Sequence, residues 1–319
     1  MMEDVTRLLR DRDFAAAGYL AGWSIVRKLP APVAARLFRF GADRVSDDGK
    51  GLEMLRRNLS RVVGPENVTR ELVRDAMRSY ARYWLEAFRL PTLTDDEKLH
   101  ARLTEGVVGR EAFDASVQSG RGVILTLPHS GNWDMAGTWL VKNYGQFATV
   151  AERVKPEVLF NAFVEFRESL GFEVLPLTGG QRPPFDRLRE VLEQGGIVCL
   201  LGERDLKQTG VEVDFFGEKT TMPAGSAQLA LETGAALHVV HSWFYEDDDG
   251  PGWGLSASDE VEVTDLPATV QRIADLFAAN IAAHPEDWHM LQPQWTVDVD
   301  EAKAARRARR QRAERERKG

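Results

Sequence analysis

From residue 106 onward the chain alternates short apolar runs with segments of helical periodicity, and this pattern limits the folds open to it more than any other feature. Val123–Leu127 and Ile197–Leu201 are uncharged runs, as expected of strands buried on both faces of a sheet. Strands are expected over 122–127, 147–150, 172–175, 197–201, 237–245 and 252–257. Helices are expected over 109–118, 132–142, 156–170, 184–194, 224–232 and 269–284, with an extended piece over 211–216 and a last helix near the C-terminus. Such alternation predicts an α/β fold with a central, mostly parallel sheet flanked by helices.

Residues 1–100 read as a helical N-terminal region, residues 101–298 as the α/β core and residues 299–319 as a basic helix or tail. In the first region Leu8, Leu9, Tyr19, Leu20, Trp23, Ile25 and Val26 recur among basic residues before Pro30 and Pro32 interrupt. The next helix puts Val33, Leu37 and Phe40 on one face with arginines alongside, the pattern of an interfacial helix or of one packed on the domain. Two more helices are expected over 51–62 and 67–90, the second with a core stripe of Tyr80, Tyr83, Trp84 and Phe88.

At 319 residues, 43% of them apolar, the chain can bury a sizeable core. Its one cysteine, Cys199, excludes an internal disulfide framework, fits a reducing compartment and reads as a buried strand residue. The net charge of −8 is uneven: residues 301–319 carry nine basic and three acidic groups, +6, which leaves −14 on the remainder. A second basic cluster is Arg27, Lys28, Arg36, Arg39 and Arg44. Basic ends on an acidic protein point to an anionic surface as partner, although the C-terminal run reads equally as a solvated helix. Nucleic acid is not among the expected partners. The longest uncharged N-terminal run, Phe14–Val26, has thirteen residues, short of the ~20 that span a bilayer, and its flanks do not resemble a signal peptide. The expectation is a protein that lies on a membrane without crossing it.

Chemistry concentrates just after the apolar run 123–127, in His129-Ser130-Gly131-Asn132-Trp133-Asp134. A histidine at a strand end with a carboxylate nearby can form a general base, the carboxylate fixing the tautomer and stabilising the imidazolium. On a continuous helix residues five apart point about 140° from each other, so His129 and Asp134 meet only if the histidine lies in the loop and the aspartate in the first helical turn. Ser130 is expected to turn the backbone. Gly-x-Ser-x-Gly, a Walker A lysine motif and Gly-x-Gly-x-x-Gly after a strand are all absent. His238 and His241 would face opposite sides of a strand, which disfavours a metal site there, and His284 and His289 read as surface or capping residues.

In its His-Ser-Gly-Asn-Trp-Asp form the motif resembles that of the bacterial acyltransferases that add late acyl chains to lipid A. It is closer still to the actinobacterial branch that acylates phosphatidylinositol mannosides. The likeness continues through Ala151-Glu152-Arg153, Phe166-Arg167-x3-Gly171, Leu201-Gly202-Glu203-Arg204-Asp205, Val213–Gly217 and Pro223-Ala224-Gly225, covering about residues 105–245 in order.

The resemblance implies transfer of a fatty acyl group, often palmitoyl, from acyl-CoA to a mannose hydroxyl of phosphatidylinositol mannoside at the cytosolic face of the plasma membrane. It implies His129, Asp134 and Glu203 as catalytic residues, Asp134 and Glu203 both remaining open as the group that orients the imidazole. It implies Glu152, Arg167 and Arg204 as substrate-binding residues, acyl-CoA as co-substrate, and no metal or further cofactor. Phe160, Phe163, Phe166 and Leu170 are expected either to line an acyl tunnel or to be ordinary core. A lipid A-type acceptor, a thioesterase and a non-catalytic acyl-CoA or lipid binder are the competing readings.

Overall fold

A computed structural model of the chain describes residues 21–93 and 96–316. The helical pattern expected over Leu8–Leu20 lies outside the described residues, as do Arg317 and Lys318. After a helical stretch at 21–26 come α1 (Ala31–Val45), α2 (Glu53–Val63), α3 (Arg70–Arg89) and α4 (Glu97–Glu105). The α/β region then runs β1 (Val107–Val108), α5 (Arg110–Gln118), β2 (Val123–Leu127), α6 (Trp133–Tyr144), β3 (Phe147–Ala151) and α7 (Glu157–Glu168). It continues with β4 (Glu173–Pro176), α8 (Pro184–Glu193), β5 (Ile197–Leu201), β6 (Val211–Phe215), β7 (Glu218–Met222) and α9 (Gly225–Thr233). It ends with β8 (Ala236–Asp247), β9 (Gly250–Ala257), α10 (Leu266–Ala283) and α11 (Thr296–Glu316).

Seven strands form one sheet in the order β1-β9-β8-β2-β5-β3-β4. Every pairing is parallel except the β8–β9 hairpin, so the expected mostly parallel α/β architecture is the one observed. Side-chain alternation sorts β2 between two cores: Val123 and Leu125 join Trp139 and Leu140 of α6, Phe166 of α7 and Tyr83 and Phe88 of α3. Ile124 points the other way, into the core built by Leu188 and Leu192 of α8, Leu229 of α9 and Phe277 of α10. The uncharged runs of β2 and β5 are thus strands covered on both faces. Through Tyr83 and Phe88 the N-terminal helices share the first of these cores.

Three details depart from the sequence reading. The extended piece at 211–216 is one arm of a separate hairpin, β6 pairing antiparallel with β7 around Phe216 and Gly217, both at positive φ (51° and 78°). Phe216 is held there by packing on Phe215 and Trp295, and neither it nor the polar strand Glu218-Lys219-Thr220-Thr221 gives a turn or strand signal. Strand β1 has only two residues, and α4 falls in a stretch left unassigned by periodicity.

The outer face of α1 stays bare among the described residues: Val33, Leu37 and Phe40 are 44%, 55% and 67% exposed, with Arg36 and Arg39 also exposed beside them. No helix among the described residues is long and apolar enough to cross a membrane.

Candidate active site

Strand register brings the site together. In the parallel β2–β5 pair Leu127 faces Leu201, so His129 and Glu203 each lie two residues beyond matched positions at the same edge of the sheet. Gly202 N–H closes the pair by donating to the Leu127 carbonyl (2.9 Å). Glu203 is fully buried, and its Oε1 lies 2.7 Å from the backbone nitrogen of His129 and 2.7 Å from its Nδ1. The backbone N–H donates, and the carboxylate can only accept, so Nδ1 carries the second proton and Nε2 is left to receive one. Burial alone would raise the Glu203 carboxyl, but the neighbouring His129 charge and these hydrogen bonds outweigh it and hold the group below its ordinary range. The His129 side chain is 26% exposed, open enough for a reactant to reach it.

Each residue of the motif has a local task. Ser130 is fully buried and turns the chain, its N–H donating to Pro128 O (2.8 Å) and its carbonyl accepting from Ser242 Oγ (2.6 Å). Gly131 adopts φ +56°, and a Cβ there would stand 2.5 Å from the Ser242 carbonyl carbon, so no larger residue fits. Asn132 caps α6 by accepting from Met135 N–H (3.0 Å), while its amide donates to Glu86 (2.7 Å). The Trp133 ring meets His129 edge to face (5.5 Å between centroids) and lies 4.0 Å from Tyr83.

Asp134 lies in the first turn of α6, as the spacing requires, but its carboxylate is engaged elsewhere than at the imidazole. It is 1% exposed and accepts from Arg167 Nε (2.8 Å) and Nη2 (3.2 Å) and from Tyr83 OH (3.1 Å). Burial works against the Arg167 charge, but Asp134 prevails and keeps the guanidinium protonated; burial, then the Asp134 charge, pushes the Tyr83 phenol well above its usual range. The structure therefore pairs His129 with Glu203, and Asp134 with Arg167. Glu152 is exposed just beyond β3, and Arg204 is half-buried in a groove with Lys207, Gln292 and Gln294; neither joins these pairs.

An apolar cavity of about 130 Å³ lies between the sheet and α6, with Asp134, Arg167 and Trp133 among its lining residues. Its walls include Leu125 and Leu127 of β2, Trp139 and Leu140 of α6, Val240 of β8 and Cys199 of β5. The Cys199 thiol faces this space, and burial raises its pKa, so it is no thiolate nucleophile. Phe160, Phe163, Phe166 and Leu170 do not line the cavity: Phe160, Phe166 and Leu170 are buried, Phe163 is half-buried, and Phe163 and Phe166 pack on Trp23 (5.7 and 5.5 Å between centroids).

The sequence reading of His289 also needs correction. It is buried, not a surface residue, in contact with Tyr80, Tyr83 and Trp133, and its N–H donates to the His129 carbonyl (2.8 Å). Burial first, then the charge of His129, lowers its pKa to about 3. His284 does cap α10, its N–H donating to Ile281 O (3.2 Å). Among the described residues His284, Glu286 and Asp287 bring one potential ligand atom each within 4.8 Å of one another, but both Asp287 oxygens already accept hydrogen bonds, from Ser79 and from Phe244 N–H. Ser79, Tyr83 and Asp287 were not singled out for the site by the sequence reading; Tyr83 shows there only as part of an aromatic stripe.

A parallel α/β sheet carrying a carboxylate-held histidine at its strand ends, next to an apolar cavity, has the parts of an acyltransferase. Residues 1–297 match the family model described as bacterial lipid A biosynthesis acyltransferase, and the chain belongs to that family. It is 55% identical over 295 residues to a Mycolicibacterium smegmatis protein named phosphatidylinositol mannoside acyltransferase, covering 91% of this chain and 94% of that one. A Mycobacterium tuberculosis (H37Rv) protein of the same name is 53% identical over 291 residues, 90% of either chain. The chain is thus an acyltransferase.

Proposed function

We propose that this acyltransferase moves a long fatty acyl group, palmitoyl in the first instance, from acyl-CoA to a mannose hydroxyl of phosphatidylinositol mannoside, with His129 as general base. The observation that carries the mechanism is the Glu203–His129 pair, 2.7 Å apart, beside an apolar cavity. The acceptor is the one for which relatives that align with nine-tenths of the chain are named.

Nε2 of His129 takes the proton of the sugar hydroxyl as that oxygen attacks the thioester carbonyl. Glu203 stabilises the imidazolium that forms through the Nδ1–H bond. The tetrahedral oxyanion collapses, the carbon–sulfur bond breaks, and the departing sulfur takes the proton from His129 Nε2, so that the thiol leaves and the neutral base is restored. Arg167, paired with Asp134 and lining the cavity, supplies positive charge near the reacting carbonyl and fixes α6 against α7. Part of the acyl chain enters the cavity under α6. No covalent acyl-enzyme and no resident cofactor enter this scheme; acyl-CoA is a co-substrate.

The protein acts at the cytoplasmic face of the plasma membrane as a peripheral protein. Support comes from the exposed apolar face of α1, rimmed by Arg36 and Arg39, which can enter the acyl boundary while the guanidinium groups meet lipid phosphates.

The test is purified protein with palmitoyl-CoA, with and without phosphatidylinositol mannoside, following free thiol and acylated lipid together. Acceptor-dependent thiol release matched by acylated lipid is expected. Release without acylated lipid would assign a thioesterase, transfer only to a lipid A precursor would change the acceptor, and no turnover with any thioester would leave a binding protein. Flotation on anionic vesicles, weakened by salt and by Arg36→Glu with Arg39→Glu, tests the membrane contact; salt-independent or absent flotation refutes it.

A further inference from the structure

The segment after α10 closes over the His129 turn from behind. Gly131 N–H donates to the Asp287 carbonyl (2.9 Å), His289 N–H donates to the His129 carbonyl (2.8 Å), and Ser130 and Trp288 form an antiparallel bridge between these bonds. Residues 129–131 are thus strapped, backbone to backbone, to residues 287–289.

The strap is itself fixed by side chains. Asp287 is 2% exposed; its Oδ1 accepts from the Ser79 hydroxyl (2.5 Å) and its Oδ2 from Phe244 N–H (2.8 Å). The Ser79 oxygen lies 3.0 Å from His289 Nε2. With the hydroxyl proton committed to the carboxylate, Nε2–H is the donor in that contact. One hydroxyl on α3 therefore ties both ends of the strap, and β8 ties it from the other side.

This arrangement contributes little bulk to the core. Ser79 lies on a helix already anchored by Val73, Ala76, Tyr83 and Phe88, all buried. What the hydroxyl adds is a fixed distance between α3 and the segment whose His289 N–H holds the His129 carbonyl. A general base depends on such distances, because misplacement by about 1 Å can cost about a hundredfold in rate.

We propose that Ser79 and Asp287 are positioning residues for His129, setting through the backbone of 287–289 where the imidazole stands relative to the attacking hydroxyl. Neither touches the reactants. The assignment rests on the reading of His129 as the base, and the test separates the two.

The proteins compared are the parent, Ser79→Ala, His129→Ala and their double mutant, with Ser79→Thr and Asp287→Asn beside them. For each, kcat and KM are measured with palmitoyl-CoA and phosphatidylinositol mannoside, together with the urea unfolding midpoint. Ser79→Ala is expected to lower kcat about tenfold, leave KM for the thioester within about twofold and lower the midpoint modestly, since Asp287 Oδ1 loses its partner, while the protein stays folded under assay conditions. Ser79→Thr, which keeps the hydroxyl, restores most of the rate. Asp287→Asn keeps Phe244 N–H on its amide oxygen and turns its NH2 toward the Ser79 oxygen, which then accepts where it had donated, and stays within about threefold of the parent. In the His129→Ala background Ser79→Ala produces no further loss, since its effect passes through the missing imidazole.

An unchanged kcat in Ser79→Ala overturns the proposal, as does the same fractional loss with and without His129, which would assign a purely structural role. A deficit in Asp287→Asn larger than in Ser79→Ala also overturns it, because charge and not position would then be at issue. A His129→Ala protein at the parental rate refutes the base itself, a result distinct from any of these.

Discussion

The most discriminating perturbation of the reaction centre is Glu203→Gln. The carboxylate uses a single oxygen, Oε1, for both the backbone N–H and Nδ1 of His129, each at 2.7 Å. A glutamine oxygen keeps the backbone bond and the shape, but the charge opposite the imidazolium is gone. A hydrogen bond between charged partners contributes about 1.5–3 kcal/mol where a neutral one contributes about 1. With His129 as the proposed base, this bond strengthens as the imidazole gains its proton, and the loss falls on the transition state. At 1.36 kcal/mol per factor of ten, that difference of about 0.5–2 kcal/mol should lower kcat between about twofold and about thirtyfold. KM for the thioester should hardly change, because Glu203 is fully buried and not a lining residue of the cavity. Stability should change little too, since a neutral amide is easier to bury than a carboxylate and still satisfies the backbone donor. The assay is initial-rate acyl transfer from labelled palmitoyl-CoA, normalised to folded protein and run beside urea unfolding. A kcat within twofold of the parent would refute the role of Glu203. So would a rate loss that merely tracks a lower folded fraction.

Three other outcomes follow from the same geometry. Asp134→Asn leaves the Arg167 guanidinium buried without its counter-charge and should cost about 3 kcal/mol of stability, read as a lower urea midpoint, whereas Glu203→Gln should not; equal midpoints for the two variants would refute the distinction. His241 is 3% exposed, both its ring nitrogens are without hydrogen-bond partners among the described residues, and burial, then the charge of His284, lowers its pKa to about 3. Below its ordinary value of 6.5 the unfolded chain takes up a proton that the folded chain refuses, so stability falls as pH drops from 6.5 toward 3. His241→Leu should remove this component, gaining on the parent by about 2 kcal/mol between pH 6.5 and 5 in urea unfolding; a pH-independent difference would refute it. Ala136→Phe projects a ring from α6 into the cavity of about 130 Å³ and should raise KM for palmitoyl-CoA by at least about tenfold, with a smaller effect on a short-chain thioester; equal effects on both would place the acyl chain elsewhere.

How much could be read from the chain alone follows from which forces are local. The runs of β2 and β5 were legible because a strand covered on both faces must be apolar along its length. The turn at 129–132 was legible too: Gly131 is needed for positive φ, and Asn132 is a capping residue. The identity of the His129 partner was not, because it depends on β5 lying beside β2 in the register Leu127–Leu201, and no spacing in sequence encodes strand order. The same limit hid His289, which reads as a surface or capping residue while tertiary packing buries it under Tyr80, Tyr83 and Trp133. Periodicity did show that the α7 aromatics face inward; which inner surface they face, the Trp23 side and not the cavity, was beyond it.

The strap over the His129 turn also bears on how the chain is made. Glu203 follows His129 by 74 positions, and the Ser79–Asp287 bond joins residues 208 positions apart. A ribosome delivers these partners in order, at about 5–20 residues per second, so His129 waits for many seconds after its own synthesis before the last of them emerges. Until then the histidine has neither its final backbone ties nor the segment that backs it. Prematurely terminated chains lacking residues 287–289 would carry the His129 motif without the backbone ties to Asp287 and His289 that hold it in the complete fold.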